Sequence, residues 1–297
     1  MTGRKMIVRN YRDKQSVLIR QTDHADLAAQ LAAWWVMRSG RSNARDFSLL
    51  RATAFHDQHF VDSEDSLPVD SQRGRPWGHR ETPFMPQHLQ ALKRNVEWLA
   101  TIDAYAALLV AKHHVGLRKS RLGAIDSWQG SADQNAKYSV SSTSQLRPEV
   151  QEFFSSLETW CADQLSEHIE SGRSAQEFWQ DYALLQLFDV LSLYMCCDGW
   201  DKQGNLEQKT MAWRNSSAED AGASIAISPN SRYSLTINSS VLPEDPATDF
   251  FLITRIFSHL QSAEPMTFKT EFIRSPQKTE TWSIAFRRTT RINCHRS

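Results

Sequence analysis

Cysteine is scarce in this chain. Cys161, Cys196, Cys197 and Cys294 are the four among 297 residues, and none stands in C-x-x-C spacing. The paired-thiol signatures of thiolate metal sites and dithiol redox chemistry are therefore missing, and Cys196-Cys197 lies in an apolar stretch where thiols act as small hydrophobes. A reduced compartment is the expectation. Net charge is missing too: 34 basic residues balance 34 acidic ones, which speaks against a dedicated nucleic-acid or anionic-membrane binder. The first ten residues are basic and lack the apolar core of roughly 7–15 residues that a secretion signal needs. No stretch approaches the roughly 20 apolar residues of a membrane span. The expectation is a soluble cytoplasmic protein with no membrane or nucleic-acid partner. Also lacking are a Gly-rich phosphate loop, a G-x-S-x-G elbow and an H-E-x-x-H helix, so the commonest local signatures of nucleotide, serine-hydrolase and zinc-peptidase chemistry do not apply.

What is present is enough apolar residue, 40% of the chain, to build a substantial core. Met6-Ile7-Val8-Arg9 and Ser16-Val17-Leu18-Ile19-Arg20 read as a hairpin. Helical spacing then takes over. Asp23 opens a helix carrying Leu27, Leu31, Trp34 and Trp35 and ending at Ser39-Gly40; a second covers about 43–56. Residues 61–86 read as a long loop, 87–115 as one long helix stopped by Gly116, and 118–145 as a polar excursion. Two more helices are expected over about 148–171 and 174–197, the latter apolar nearly all round and so buried. After Gly199 short β-branched runs appear at 223–227, 233–237, 250–257 and 282–286. Together these predict a single domain over 1–297, mainly α with a helical core over about 21–198. A small antiparallel sheet would form from the N-terminal hairpin and the C-terminal strands, with a flexible insertion at about 118–146.

The chemistry concentrates in one pattern: His24, then His56-Asp57, then His113, then Asp189. Imidazoles and carboxylates drawn from separate helices suit Fe, Mn or Zn better than Ca or Mg, and a mixed set of this kind is more often a reaction centre than a structural staple. Asp189, inside an apolar helix, needs a metal, a salt bridge to a buried Arg, or a hydrogen bond to Tyr194 or a backbone amide, since an isolated buried carboxylate is costly. Adjacent residues on a helix diverge by about 100°, so one of His113 and His114 suffices, and His113 is preferred. His59, three residues after His56, is a further ligand or an acid/base. The loop carrying Arg73, Arg75, Trp77, His79 and Arg80 is either a substrate clamp for an anion or a solvated loop. Among the ten tryptophans, Trp77 and Trp128 are the loop-borne candidates to cover an apolar ligand.

Several stretches, Met6-Ile7-Val8-Arg9, Gln21-Thr22-Asp23-His24-Ala25-Asp26-Leu27-Ala28, Ala54-Phe55-His56-Asp57, 103–110 running on to His113 and Gly116-Leu117, and 184–194, resemble an uncharacterised, mainly bacterial family, domain of unknown function 3891. That family looks like a relative of HD-domain metal hydrolases and oxygenases. The resemblance implies a helical core holding a metal through His, His-Asp and Asp. The chain departs from the usual pattern after Asp57, where it has Gln58-His59-Phe60, and in its expanded 118–145 segment.

The leading expectation is a metal-dependent hydrolase acting on a small molecule, a phosphate ester being the natural class. Its ligands would be His24, His56, Asp57 and Asp189, with His113 as ligand or general base and a bound water as nucleophile. The alternatives are an Fe-dependent oxygenase and a metal-free protein that binds, isomerises or cyclises an apolar small molecule.

Overall fold

The computed structural model describes residues 6–12, 14–40, 43–63, 69–70, 72–78, 86–118, 148–201, 203–213, 223–259 and 265–289. The expected insertion at 118–146, with His79, Arg80, Trp128 and Cys294, lies wholly or almost wholly outside them.

Strands β1 (Ile7–Arg12) and β2 (Gln15–Ile19) form the N-terminal hairpin, with Ile7 opposite Ile19. Strand β2 pairs with β8 (Asp245–Ser258), and β8 with β9 (Gln277–Arg288), both antiparallel. Strand β9 then lies parallel to β7 (Ser234–Ser239), which continues antiparallel through β6 (Ala223–Ser231) to β5 (Lys209–Trp213). The result is one seven-stranded mixed sheet in the order β1-β2-β8-β9-β7-β6-β5. A two-residue ribbon, β3 (Val69–Asp70) with β4 (Arg75–Pro76), stands apart from it.

This overturns the mainly-α, HD-like reading with its small antiparallel sheet: the core is α/β. The reason is visible along β8 and β9. Their inward residues, such as Phe250, Leu252, Trp282, Ile284 and Phe286, are buried, while Phe251 and Ile253 between them are exposed. A strand that is half solvated carries polar and charged residues along its outer face, so counting apolar runs shortens it. Strand β5 was missed for the same reason. Pairing direction has no signature in such runs.

The helices cover the inner face. Helix α1 (Gln21–Arg38) lies on the sheet, with the Trp34 ring stacked on Phe286 at 3.7 Å and its indole N–H donating to Asp245 at 2.9 Å. Gln30 pairs twice with the Phe251 backbone. Away from the sheet, α1 packs against α2 (Ala44–Phe55) and α6 (Ala175–Leu193). The N-terminus of α2 is set by a reciprocal capping box between Asn43 and Asp46.

The expected single helix over 87–115 is two, α3 (Pro86–Ile102) and α4 (Ala104–Arg118). They part at Asp103, whose carboxylate accepts the Ala106 N–H at 3.0 Å and also meets Ser48 and Arg51. Gly116 does not stop α4. It is needed for packing, because a Cβ there would sit 1.9 Å from the Tyr182 hydroxyl oxygen of α6.

Helix α5 (Pro148–Glu170) flanks α4, and α6 ends in a π-turn at Tyr194–Asp198. Helices α2, α4 and α6 are clamped by Arg45, which donates to both oxygens of buried Asp181 at 2.5 and 2.8 Å, while Tyr105 donates to the same carboxylate at 2.8 Å. Helix α7 (Pro265–Arg274) carries Phe272, which joins Met6, Leu18 and Phe257 in a second small apolar cluster.

Cys161 and Cys196 are buried free thiols. Burial pushes the Cys161 thiol up to about 12, which makes it unreactive at neutral pH.

Candidate metal centre

His24 sits in the first turn of α1, His56 at the C-terminal cap of α2, Asp57 next to it, His113 in α4 and Asp189 in α6. All five are buried. The structure brings them together: His24 Nε2 lies 3.0 Å from Asp189 Oδ1, and His24 Nδ1 lies 3.5 Å from Asp57 Oδ2. His56 Nε2 is 3.7 Å from Asp57 Oδ2 and 3.6 Å from Asp189 Oδ1, and His113 Nε2 is 4.0 Å from Asp189 Oδ2. Two sets of possible ligand atoms lie within 4.8 Å of one another, His24/His56/Asp57 and His56/His113/Asp189.

Tautomers sharpen the picture. His24 Nδ1 is 2.8 Å from the carbonyl of Gln21, and His56 Nδ1 is 2.7 Å from the carbonyl of Thr53, each three residues back on its own helix. A carbonyl only accepts, so both Nδ1 atoms carry hydrogen. In the neutral rings both Nε2 lone pairs then aim at carboxylate oxygens, an arrangement that repels unless a proton or a cation lies between them. Orienting a ligand imidazole through its distal N–H is the usual outer support of a metal-bound histidine. His56 Nε2 is buried and has no hydrogen-bond partner, as a ligand atom awaiting a cation would be.

Charge balance points the same way. Among the described residues the ion-pair partners of Asp57 and Asp189 are imidazoles, while half-buried Arg45 goes to Asp181. Burial opposes protonation of His56, but Asp57 and Asp189 outweigh it and raise the imidazole to about 9. Helix α2 also aims its C-terminal, partly negative end at the cluster. The donor set of imidazoles and carboxylates therefore fits a divalent transition ion.

His113 differs from the other two. The Gln186 amide donates to His113 Nδ1 at 2.9 Å and reaches its carbonyl at 3.5 Å, which leaves the imidazole proton on Nε2, facing Asp189. Gln186 escaped the sequence reading, although its place three residues before Asp189 puts it on the same face of α6. His114, set aside in favour of His113, has its own role: Nε2 donates to the His56 carbonyl at 2.8 Å, and the residue joins Asp57 and His59 in a third set of ligand atoms within 4.8 Å.

His59 also lines a surface cleft of about 200 Å³ with Gln58, Ala91, Arg94, Asn95 and Trp98. Arg73, Arg75 and Trp77 do not line that cleft. Arg73 pairs with Asp70, Arg75 donates to the Pro76 carbonyl, and Trp77 is partly exposed beside this short ribbon. A larger depression of about 410 Å³ between α3 and α5 includes Gln87, Glu149 and Phe153 but contains none of the clustered histidines. No helix among the described residues is long and apolar enough to cross a membrane.

No curated protein and no solved structure matches the chain. One family model does, described as Protein of unknown function (DUF3891), and it spans residues 6–248. Since that match covers most of the chain, including every residue of the His–Asp cluster, the protein belongs to this family.

Proposed function

We propose that the protein is a metal-dependent hydrolase of a small anionic molecule, with a phosphate ester as the substrate class. The observation that carries this reading is the convergence of the His24 and His56 Nε2 atoms, each fixed by a backbone carbonyl behind it, on the carboxylates of Asp57 and Asp189. His24, His56, Asp57 and Asp189 would hold one Fe, Mn or Zn ion. Such an ion lowers the pKa of a coordinated water toward ~7 and polarises a phosphoryl oxygen.

The protein's own groups supply the rest. His113, whose Nδ1 accepts from the Gln186 amide and so keeps its proton on Nε2, would protonate a leaving oxygen. The Gln21 carbonyl, 2.8 Å from His24 Nδ1, orients that ring toward Asp189. Arg94, on the cleft that reaches His59, offers a guanidinium to an incoming anion. Gln58, Arg94 and Asn95 give that cleft polar groups beside Trp98, which an anionic substrate can use.

The test is elemental analysis of purified protein, followed by reconstitution of chelated protein with Mn, Fe or Zn and assay on a generic aryl phosphate. Stoichiometric metal and metal-restored hydrolysis are expected. Protein that binds none of these ions would overturn the proposal; iron-dependent oxygen consumption without hydrolysis would replace it with the oxygenase reading.

A further inference from the structure

Asp57 belongs to two ligand groups at once. Its carboxylate lies within 4.8 Å of the ligand nitrogens of His24 and His56 and equally of those of His59 and His114. We propose that the centre is dinuclear: Asp57 bridges two divalent cations, and the second is held by Asp57, His59 and His114. This rests on the metal reading above.

Three observations carry it. His114 is built like the other ligands, since its Nε2–H is committed to the His56 carbonyl at 2.8 Å. In the neutral ring its Nδ1 therefore presents a lone pair. His114 is 5% exposed, His59 is 7% exposed, and their rings meet edge to face at 4.9 Å, so neither is a solvated surface histidine. The carbonyl that fixes His114 belongs to His56, a ligand of the first site, so the two sites share a backbone strut as well as a carboxylate.

Charge then orders the two ions. One divalent cation cancels Asp57 and Asp189. A second adds two positive charges in a buried setting where, among the described residues, neither ligand group offers a further carboxylate, so it binds well only together with an anion. Of the clustered residues, His59 is the one that lines the cleft, where Arg94 also stands, and an anion entering there reaches the second ion first. That is the arrangement needed for a phosphate group clamped by two ions roughly 3.5–4 Å apart. The second site thus acts as the substrate-binding half of the centre.

The experiment is titration of chelated wild-type protein with Mn(II), with and without inorganic phosphate, read by bound-metal stoichiometry and by electron paramagnetic resonance. Two equivalents are expected, the second bound at least tenfold more tightly with phosphate, with a spin-coupled spectrum replacing the isolated Mn(II) signal. His59→Gln and His114→Gln, each checked by its melting curve, should keep one equivalent with an uncoupled spectrum. A single uncoupled equivalent in wild type with phosphate present would overturn the second site and leave the first standing. No bound metal would overturn both. Two coupled ions retained in both folded variants would overturn the residue assignment.

Discussion

Two aspartates on one helix, Asp181 and Asp189, offer a controlled comparison, because both are buried and, among the described residues, Asp181 pairs with Arg45 while Asp189 faces histidines. In Asp181→Ala the Arg45 guanidinium loses its bidentate partner. Breaking a buried pair costs ~3–5 kcal/mol, and the lower end applies because Arg45 is 20% exposed and keeps Glu177. With an unfolding entropy of about 2.1 cal/mol/K per residue, a 297-residue chain loses ~5 °C of melting temperature for ~3 kcal/mol, with or without chelator. In Asp189→Asn the partners left behind among the described residues are the imidazoles of His24, His56 and His113. The amide fills the same volume, removes a buried negative charge, and can donate to the His24 Nε2 lone pair that now faces the carboxylate at 3.0 Å. The chelated variant should therefore melt within ~2 °C of chelated wild type, a change of about 1 kcal/mol. Metal supplied at about 100 times Kd stabilises wild type by ~2.7 kcal/mol, or ~4–5 °C, and that gain should vanish in Asp189→Asn but survive in Asp181→Ala. Scanning calorimetry of the three proteins in both conditions decides. If chelated Asp189→Asn falls as far as Asp181→Ala, Asp189 balances a structural charge and the ligand assignment is wrong.

Three further outcomes follow from the packing and the protonation of the site. Gly116→Ala should destabilise by ~1–3 kcal/mol through overpacking against the Tyr182 hydroxyl, and Tyr182→Phe should recover most of that loss in a double-mutant cycle; additive losses would show that the contact is not the cause. Gln186→Leu should leave metal content intact while lowering kcat by about 10²-fold, the scale of a general acid, and should move or erase the alkaline limb of the pH–rate profile. An unchanged profile would remove His113 as the proton donor. In metal-free protein the stabilisation contributed by His56 should be fully present below about pH 6.5 and be lost as pH rises through about 9, because the folded His56 binds its proton more tightly than the unfolded one. Metal competes with that proton, so the melting gap between metal-loaded and chelated protein should widen from pH 6 to 9; a constant gap would show that His56 does not titrate with metal binding.

The residues of the site were legible in the sequence because their chemistry is local and costly to misplace. A carboxylate among Leu184, Leu187, Val190 and Leu191 demands a partner, and the order of His24, His56-Asp57, His113 and Asp189 names the available ones. Helix α1 and the paired helices α5 and α6 were legible through apolar spacing, and the N-terminal hairpin through two short β-branched runs. Tertiary structure decided the rest. Which aspartate of α6 receives Arg45 and which receives histidines depends on the rotation of α6 against α1, α2 and α4, and no spacing rule contains that angle. The roles of His113 and His114 depend on a Gln186 amide from one helix and a His56 carbonyl from another. The sheet was underread for a related reason: β8 and β9 are amphipathic, their outward residues are those of any soluble surface, and the parallel pairing of β7 with β9 comes from where β9 returns after β8. Apolar spacing encodes which side of an element is buried; the partner it is buried against is set only when every element competes for the same interior.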